Sequence, residues 1–211
     1  MKLYDCAIAP NPRRARIFLA EKDISLPTIE VNIFEGENLS PAFLAINPRG
    51  LLPTLELNDG SRIDEVMAIC RFFEALQPAP PLLGRNPKEI ALVENRQRKM
   101  EFDGMIACSE IIRNQHERFA ERSIPGGGGD VIPAIPALVA RGNQTVVRFF
   151  KWLEIYLTES EFVAGDIYTM ADITALCAID FMAWVKLVIP PENVRTQAWY
   201  TKVSARPSAT A

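Results

Sequence analysis

The chain reads as an α/β N-terminal domain of order β-α-β-α-β-β-α followed by an all-helical C-terminal domain. Three observations predict this. Short runs alternating apolar and polar residues are confined to the first 77 residues, interleaved with helical patterns. Pro78-Ala79-Pro80-Pro81 then places three prolines in four positions, which cannot continue a helix and bias the chain towards a stiff extended connection. Beyond it strand signals vanish. The expected division is therefore 1–77, a linker over 78–88, and a helical domain over 89–211.

Each element has its own signal. Lys2 to Cys6 can form a short strand, and Asn11-Pro12 marks a helix start, with Asn at the N-cap and proline at the first helical position, running to about Lys22. Thr28 to Ile33 alternates with β-branched residues and reads as a second strand, parallel to the first because a helix joins them. Ser40-Pro41 starts a short helix that ends by Ile46, since the residue before Pro48 avoids the helical region. Thr54 to Leu57 and Ser61 to Ile63 flank Asn58-Asp59-Gly60, whose residues tolerate positive φ, and so predict an antiparallel hairpin. From Glu65 onward Val66, Ile69, Cys70, Phe73 and Leu76 recur at helical spacing.

In the second domain Glu89 to about Arg122 is one long helical candidate, with Met105, Cys108 and Ile112 on one face, and Val146, Phe150, Leu153 and Leu157 mark another. Thr169 and Asp172 form an acidic capping box opening a helix through Ile173, Leu176, Cys177, Phe181 and Trp184. Asp172 is therefore expected to lock a core helix and not to catalyse.

Composition narrows the function. With 211 residues, 48% hydrophobic and 23% charged, the chain can bury a sizeable core. No apolar run is long enough to cross a bilayer and the N-terminus lacks a signal-peptide core, so a soluble cytoplasmic protein is expected. The net charge of −3, with both signs well mixed, lacks the footprint of a nucleic-acid binder. Cys6, Cys70, Cys108 and Cys177 are widely spaced and His116 is the only histidine, so no metal site is expected. Cys70, Cys108 and Cys177 fall in apolar helical patterns and read as small buried hydrophobes, whereas Cys6 lies outside such patterns, at the end of the first expected strand. Gly126 to Gly129 lack the Gly-Lys-Ser/Thr of a phosphate loop and read as a flexible connection.

Several segments together carry a resemblance: Asn47-Pro48-Arg49-Gly50-Leu51-Leu52-Pro53, Asp59-Gly60, Glu65 with Ala68-Ile69, Ala164-Gly165-Asp166 and Thr169-x-Ala171-Asp172. Over essentially its whole length the chain resembles the cytosolic glutathione transferases, and Ala9 to Lys22 and Val203 to Pro207 look like bacterial members. The resemblance implies a thioredoxin-like fold for the first domain, glutathione as co-substrate and a homodimer. It implies a cis Leu52-Pro53 bond, with the Leu52 backbone pairing to the cysteinyl part of glutathione. It also implies that Glu65 meets the ligand's ammonium group while the amide of Val66, at a helix N-terminus, meets the γ-glutamyl carboxylate.

Departures from the family pattern bear on activity. Val66 stands where serine is usual, and Leu51 where many members carry a polar or basic residue; Arg49 could substitute for the latter or be a solvated loop charge. Ala9 lies close to where a catalytic serine or cysteine would sit. Asn11 is the best local donor to the glutathione sulfur, or else only a helix cap, and Tyr4 and Cys6 are the other candidates. The electrophile is expected near Met105, Ile106, Ser109 and Arg113, which could equally pack the helical core or a subunit interface. Two functions fit: a transferase that activates the glutathione thiol for attack on a small hydrophobic electrophile, or a glutathione-binding protein of the same fold with lost or altered activity, thiol transfer through Cys6 or peroxidase-like chemistry included.

Overall fold

A computed structural model describes residues 1–211. In the first domain β1 (Lys2–Asp5), α1 (Pro10–Glu21), β2 (Thr28–Glu30), α2 (Pro41–Leu44), β3 (Thr54–Glu56), β4 (Arg62–Asp64) and α3 (Val66–Leu76) follow the order read from the sequence. The sheet runs β2-β1-β3-β4, with β1 parallel to β2 and antiparallel to β3, and β3 antiparallel to β4. Leu3 and Leu55 bury one face against α1 and α3, while Tyr4 packs with Val31 and Phe43 on the other. Strand β2 is shorter than Thr28 to Ile33 because Asn32 turns the chain out of the sheet: its Oδ1 accepts the amides of Phe34 at 3.0 Å and Glu35 at 3.3 Å. Ser40 caps α2 as expected, accepting the Phe43 amide at 3.2 Å.

The second domain contains α4 (Pro87–Met100), α5 (Ala107–Gln115), α6 (Ala137–Glu159), α7 (Met170–Met182) and α8 (Val194–Ser204). The single helix expected over Glu89 to Arg122 is interrupted by a π-helical turn at Glu101–Ile106 and ends at Gln115. Gly104 lies in that turn, where a Cβ would stand 2.8 Å from the Phe149 ring and 2.9 Å from Ala178, so α6 and α7 approach the backbone closely there. The early end follows from side chains in the last turns bonding to a returning segment: Asn114 Oδ1 accepts the Ile135 amide at 2.8 Å, and Arg113 donates to the Arg122 carbonyl at 2.8 Å.

The two domains share one core. Leu3, Phe18, Leu55 and Ile69 belong to the same buried cluster as Met100, Phe149, Leu153 and Leu176. Asp172 starts α7 as the capping box predicted, accepting from the Thr169 amide at 3.0 Å, and it also holds the Val163 amide and the Trp199 indole, each at 2.9 Å. The proline linker is tied down too. The buried Lys22 ammonium donates to the carbonyls of Gln77 at 2.7 Å and Pro80 at 2.8 Å and pairs with Glu74 at 2.7 Å.

Candidate functional site

Strand register brings three loops to one end of the sheet. Tyr4 is aligned with Thr54, and Thr54 with Asp64, so the segments following β1 and β4 and preceding β3 emerge side by side. These carry Cys6 to Asn11, Glu65-Val66 and Leu52-Pro53. The Leu52-Pro53 bond is cis, as expected.

Side chains make that turn rigid while leaving one residue open. Buried Asn47 donates to the Leu51 carbonyl and to Thr54 Oγ1, both at 3.1 Å, and accepts the Arg49 amide at 3.0 Å. Asn38 takes the Gly50 carbonyl at 2.8 Å. The N–H and C=O of Leu52 have no partner within the chain, and its half-buried side chain packs on the Tyr4–Phe43 cluster. An exposed peptide edge held this way can pair with an extended ligand backbone.

Beside it, Glu65 is held at φ +65°, a left-handed conformation rare for this residue type, and precedes the first turn of α3, which no side chain caps. The free amides of that turn and the helix dipole favour a carboxylate. Val66 is buried, so its side chain belongs to the core and its amide is what remains for a ligand. Arg49 reaches Glu65 at 3.5 Å, both side chains more than half exposed, and its guanidinium lies against Gly126, whose Cβ would stand 2.8 Å from Arg49 Nη2. The glycine run is thus not a free connection. A Cβ at Gly128 would come within 2.5 Å of the Pro48 carbonyl oxygen, so these glycines let residues 125–130 lie close against the Pro48-Arg49 segment. Arg118 adds a second bridge, stacking 4.9 Å from the Phe34 ring and donating to its carbonyl at 3.2 Å.

The start of α1 corrects the sequence reading. Ala9 is the N-cap and Pro10 the first helical residue, so Asn11 is not the cap but the second residue of the first turn. Prolines at both 10 and 12 fit a first turn equally well, and the helix begins at the earlier one. The consequence is chemical. Neither proline has an N–H, the Ala9 amide is bonded to Cys6 O at 2.9 Å and the Arg13 amide to Ala9 O at 3.2 Å, so Asn11 carries the one free backbone N–H of this helix end. Its exposed carboxamide sits beside it, with Oδ1 accepting from Arg14 Nη1 at 2.9 Å.

The other candidate donors are engaged or hidden. Tyr4 is buried and donates to Glu56, the last residue of β3, at 3.1 Å. Cys6 is only 1% exposed, and burial raises its thiol pKa. Burial pushes Cys70 and Cys108 to about 12 and Cys177 to about 11, so all three are inert packing residues as expected.

On the helical wall the expected residues separate. Ile106 is 51% exposed and Ser109 half-buried, so both remain accessible. Met105, itself in the π-helical turn, is 5% exposed and packs in the core cluster, one of the alternatives the sequence left open for it. Arg113 stacks 4.7 Å from Phe119 and holds the Arg122 carbonyl, which fastens the loop that follows; burial and the neighbouring Arg122 lower its pKa to about 10. The sequence reading missed Arg14 and Glu101. Arg14 is buried at the α1 N-terminus and pairs with Glu101 at 3.0 Å. Its signal was a charge on the face of α1 that otherwise buries Ala15, Ile17 and Phe18.

Residues 8–76 match the family described as "Glutathione S-transferase, N-terminal domain", and residues 132–207 that described as "Glutathione S-transferase, C-terminal domain". The chain is 33% identical to Glutathione S-transferase 2 of Saccharomyces cerevisiae, over 99% of its own length and 87% of the relative's. Among solved structures it superposes with TM-score 0.90 on a glutathione S-transferase domain-containing protein of Marinobacter aquaeolei, at 31% identity over 99% of both chains. The TM-score against Gtt2 of Saccharomyces cerevisiae is 0.89, at 32% identity over 99% of this chain and 98% of that one.

Proposed function

The chain belongs to the glutathione S-transferase family, whose members use glutathione as co-substrate, and on that premise we propose that it activates the glutathione thiol through Asn11 for attack on a small hydrophobic electrophile. The observation that carries this reading is the pair of donors on Asn11, isolated between two prolines at the α1 N-terminus. A thiol of pKa about 8.5 becomes a better nucleophile near neutral pH when donors and a helix N-terminus favour its thiolate. The backbone N–H and Nδ2 of one exposed residue supply both without a serine, cysteine or tyrosine.

Glutathione itself is held mainly by main-chain groups in this reading. Leu52 pairs with the cysteinyl unit, the Val66 amide meets the γ-glutamyl carboxylate, and the Glu65 carboxylate takes the ammonium, with Arg49 steadying Glu65. The hydroxyl missing at Val66 costs about 1 kcal/mol, roughly five-fold in affinity, and leaves binding intact. The thiolate, its proton having passed to solvent, then forms the new carbon–sulfur bond on an electrophile bound against Ile106 and Ser109 as that carbon's bond to a halogen or oxygen breaks, the halide leaving with the electron pair or the oxygen taking a proton from solvent. Two copies of the chain are expected to associate as a homodimer.

Thiol transfer is the weaker reading, because it would need Cys6 as nucleophile and Cys6 is 1% exposed. Replacing Asn11 with Ala tests the proposal. The Asn11 backbone N–H survives the change, so kcat near neutral pH is expected to fall about ten-fold, with KM for glutathione within about two-fold. An unchanged kcat and pH–rate profile would return Asn11 to a structural role.

A further inference from the structure

We propose that Arg14 is the positioning residue of the thiolate site: it locks the Asn11 carboxamide with Oδ1 inward and Nδ2 towards the ligand, and the helical domain controls this lock through Glu101. The inference rests on the role given to Asn11 above and adds to it the group that sets its orientation.

The orientation follows from donor arithmetic. A guanidinium has only donors, so the Asn11 atom 2.9 Å from Arg14 Nη1 must be the oxygen, and the amide's two N–H bonds necessarily point elsewhere. Were the carboxamide flipped, two donors would face each other. Asn11 is exposed, so without this contact its amide would present either end to the ligand at little cost.

Arg14 is held at Nε and Nη1 by α7 and the π-helical turn as well as by Asn11. Its Nε donates to Thr174 Oγ1 of α7 at 3.2 Å, and its Nη1 also donates to Glu101 of the π-helical turn at 3.0 Å. Glu101 is shared with Arg98 at 3.0 Å and Gln97 at 3.4 Å, and Arg98 also pairs with Glu94 at 3.0 Å, so the Arg14–Glu101 pair is the inner end of an ion-pair chain that runs to the surface. The thiols of Cys70 and Cys177 lie nearby, with Glu74, Lys22 and Arg71 acting on the first and Arg13, Arg16 and Asp180 on the second. Arg14 Nη2 is buried without any partner, an arrangement that stability alone does not favour. A buried cation against Oδ1 polarises the amide and strengthens the hydrogen bonds donated by Nδ2.

A double-mutant cycle on the ultraviolet thiolate titration of bound glutathione tests this, using native protein, Asn11→Ala, Arg14→Lys and the double variant. Lysine keeps the charge and loses the fork. Arg14→Lys is expected to raise the bound thiol pKa by about half a unit to one unit with KM for glutathione within about two-fold, and to cause no further rise once Asn11 is alanine. If Arg14→Lys is poorly folded, Glu101→Asp withdraws the carboxylate without touching α1, and it should give a smaller rise with the same dependence on Asn11. A rise of equal size in both backgrounds, or none in the native one, overturns the inference. Asn11→Ala failing to move the thiol pKa by itself would instead remove the reading on which it rests.

Discussion

Asp172 shows what a single buried carboxylate contributes. Four donors converge on it: the amides of Val163 and Thr169, the Thr169 hydroxyl and the Trp199 indole. Complete burial nevertheless pushes its pKa up from 3.8 to about 6. A pKa raised on folding means that the protonated form is the better tolerated one in the folded protein, so its contribution is full below 3.8 and is lost as pH rises through about 6. Asp172→Asn abolishes this titration. Its cost in unfolding free energy should therefore be largest near pH 4 and shrink by up to roughly 3 kcal/mol towards pH 7. Denaturant unfolding of both proteins across that range checks the sign, and a cost that grows with pH would contradict it. The capping-box spacing made Asp172 legible in the sequence. Nothing comparable marked Arg14, because a lone charge on an apolar helix face is normally read as the edge of that face, and its partner Glu101 lies 87 residues away.

Helices and loops tell a similar story at larger size. The βαβ order, the Asn58-Asp59-Gly60 hairpin and the Ser40 cap were readable because each rests on residues adjacent in sequence. The first turn of α1 was displaced because two prolines competed for one position, and that displacement turns Asn11 from a cap into a donor. The π-helical turn and the lobe over 116–136 were not readable. Both depend on distant contacts, Gly104 against Phe149 and Gly128 against Pro48. The lobe makes its own prediction. Alanine at Gly128 meets the Pro48 oxygen and must also hold φ +57°, so it should lift the lobe and raise KM for glutathione several-fold while kcat stays within about two-fold. Gly129→Ala is the matched control, being strained at φ +110° with nothing within 4 Å, and KM should not move. Equal KM changes in both variants would mean that contact with Pro48 is irrelevant to binding.

The molecule as a whole is less divided than its proline linker suggested. One buried cluster runs from the sheet to α7, and Arg14 pairs with Glu101 across the junction. Lys22 fastens the linker to α1, and Arg206 fastens the C-terminal segment to Glu21 at 2.6 Å. Unfolding should accordingly be one cooperative transition. Trp199 fluorescence, isolated by replacing Trp152 and Trp184 with Phe, and far-ultraviolet circular dichroism should give coincident curves; a plateau between them would mean that the domains unfold separately. An amide proposed to act on sulfur chemistry from the domain junction needs such a junction, since preorganised donors act without reorganising. The thiol titration of glutathione bound to the native protein tests that claim most directly. The bound thiol should titrate at least about one unit below the pKa of about 8.5 of a free thiol, and saturable binding with an unshifted thiol would contradict the account.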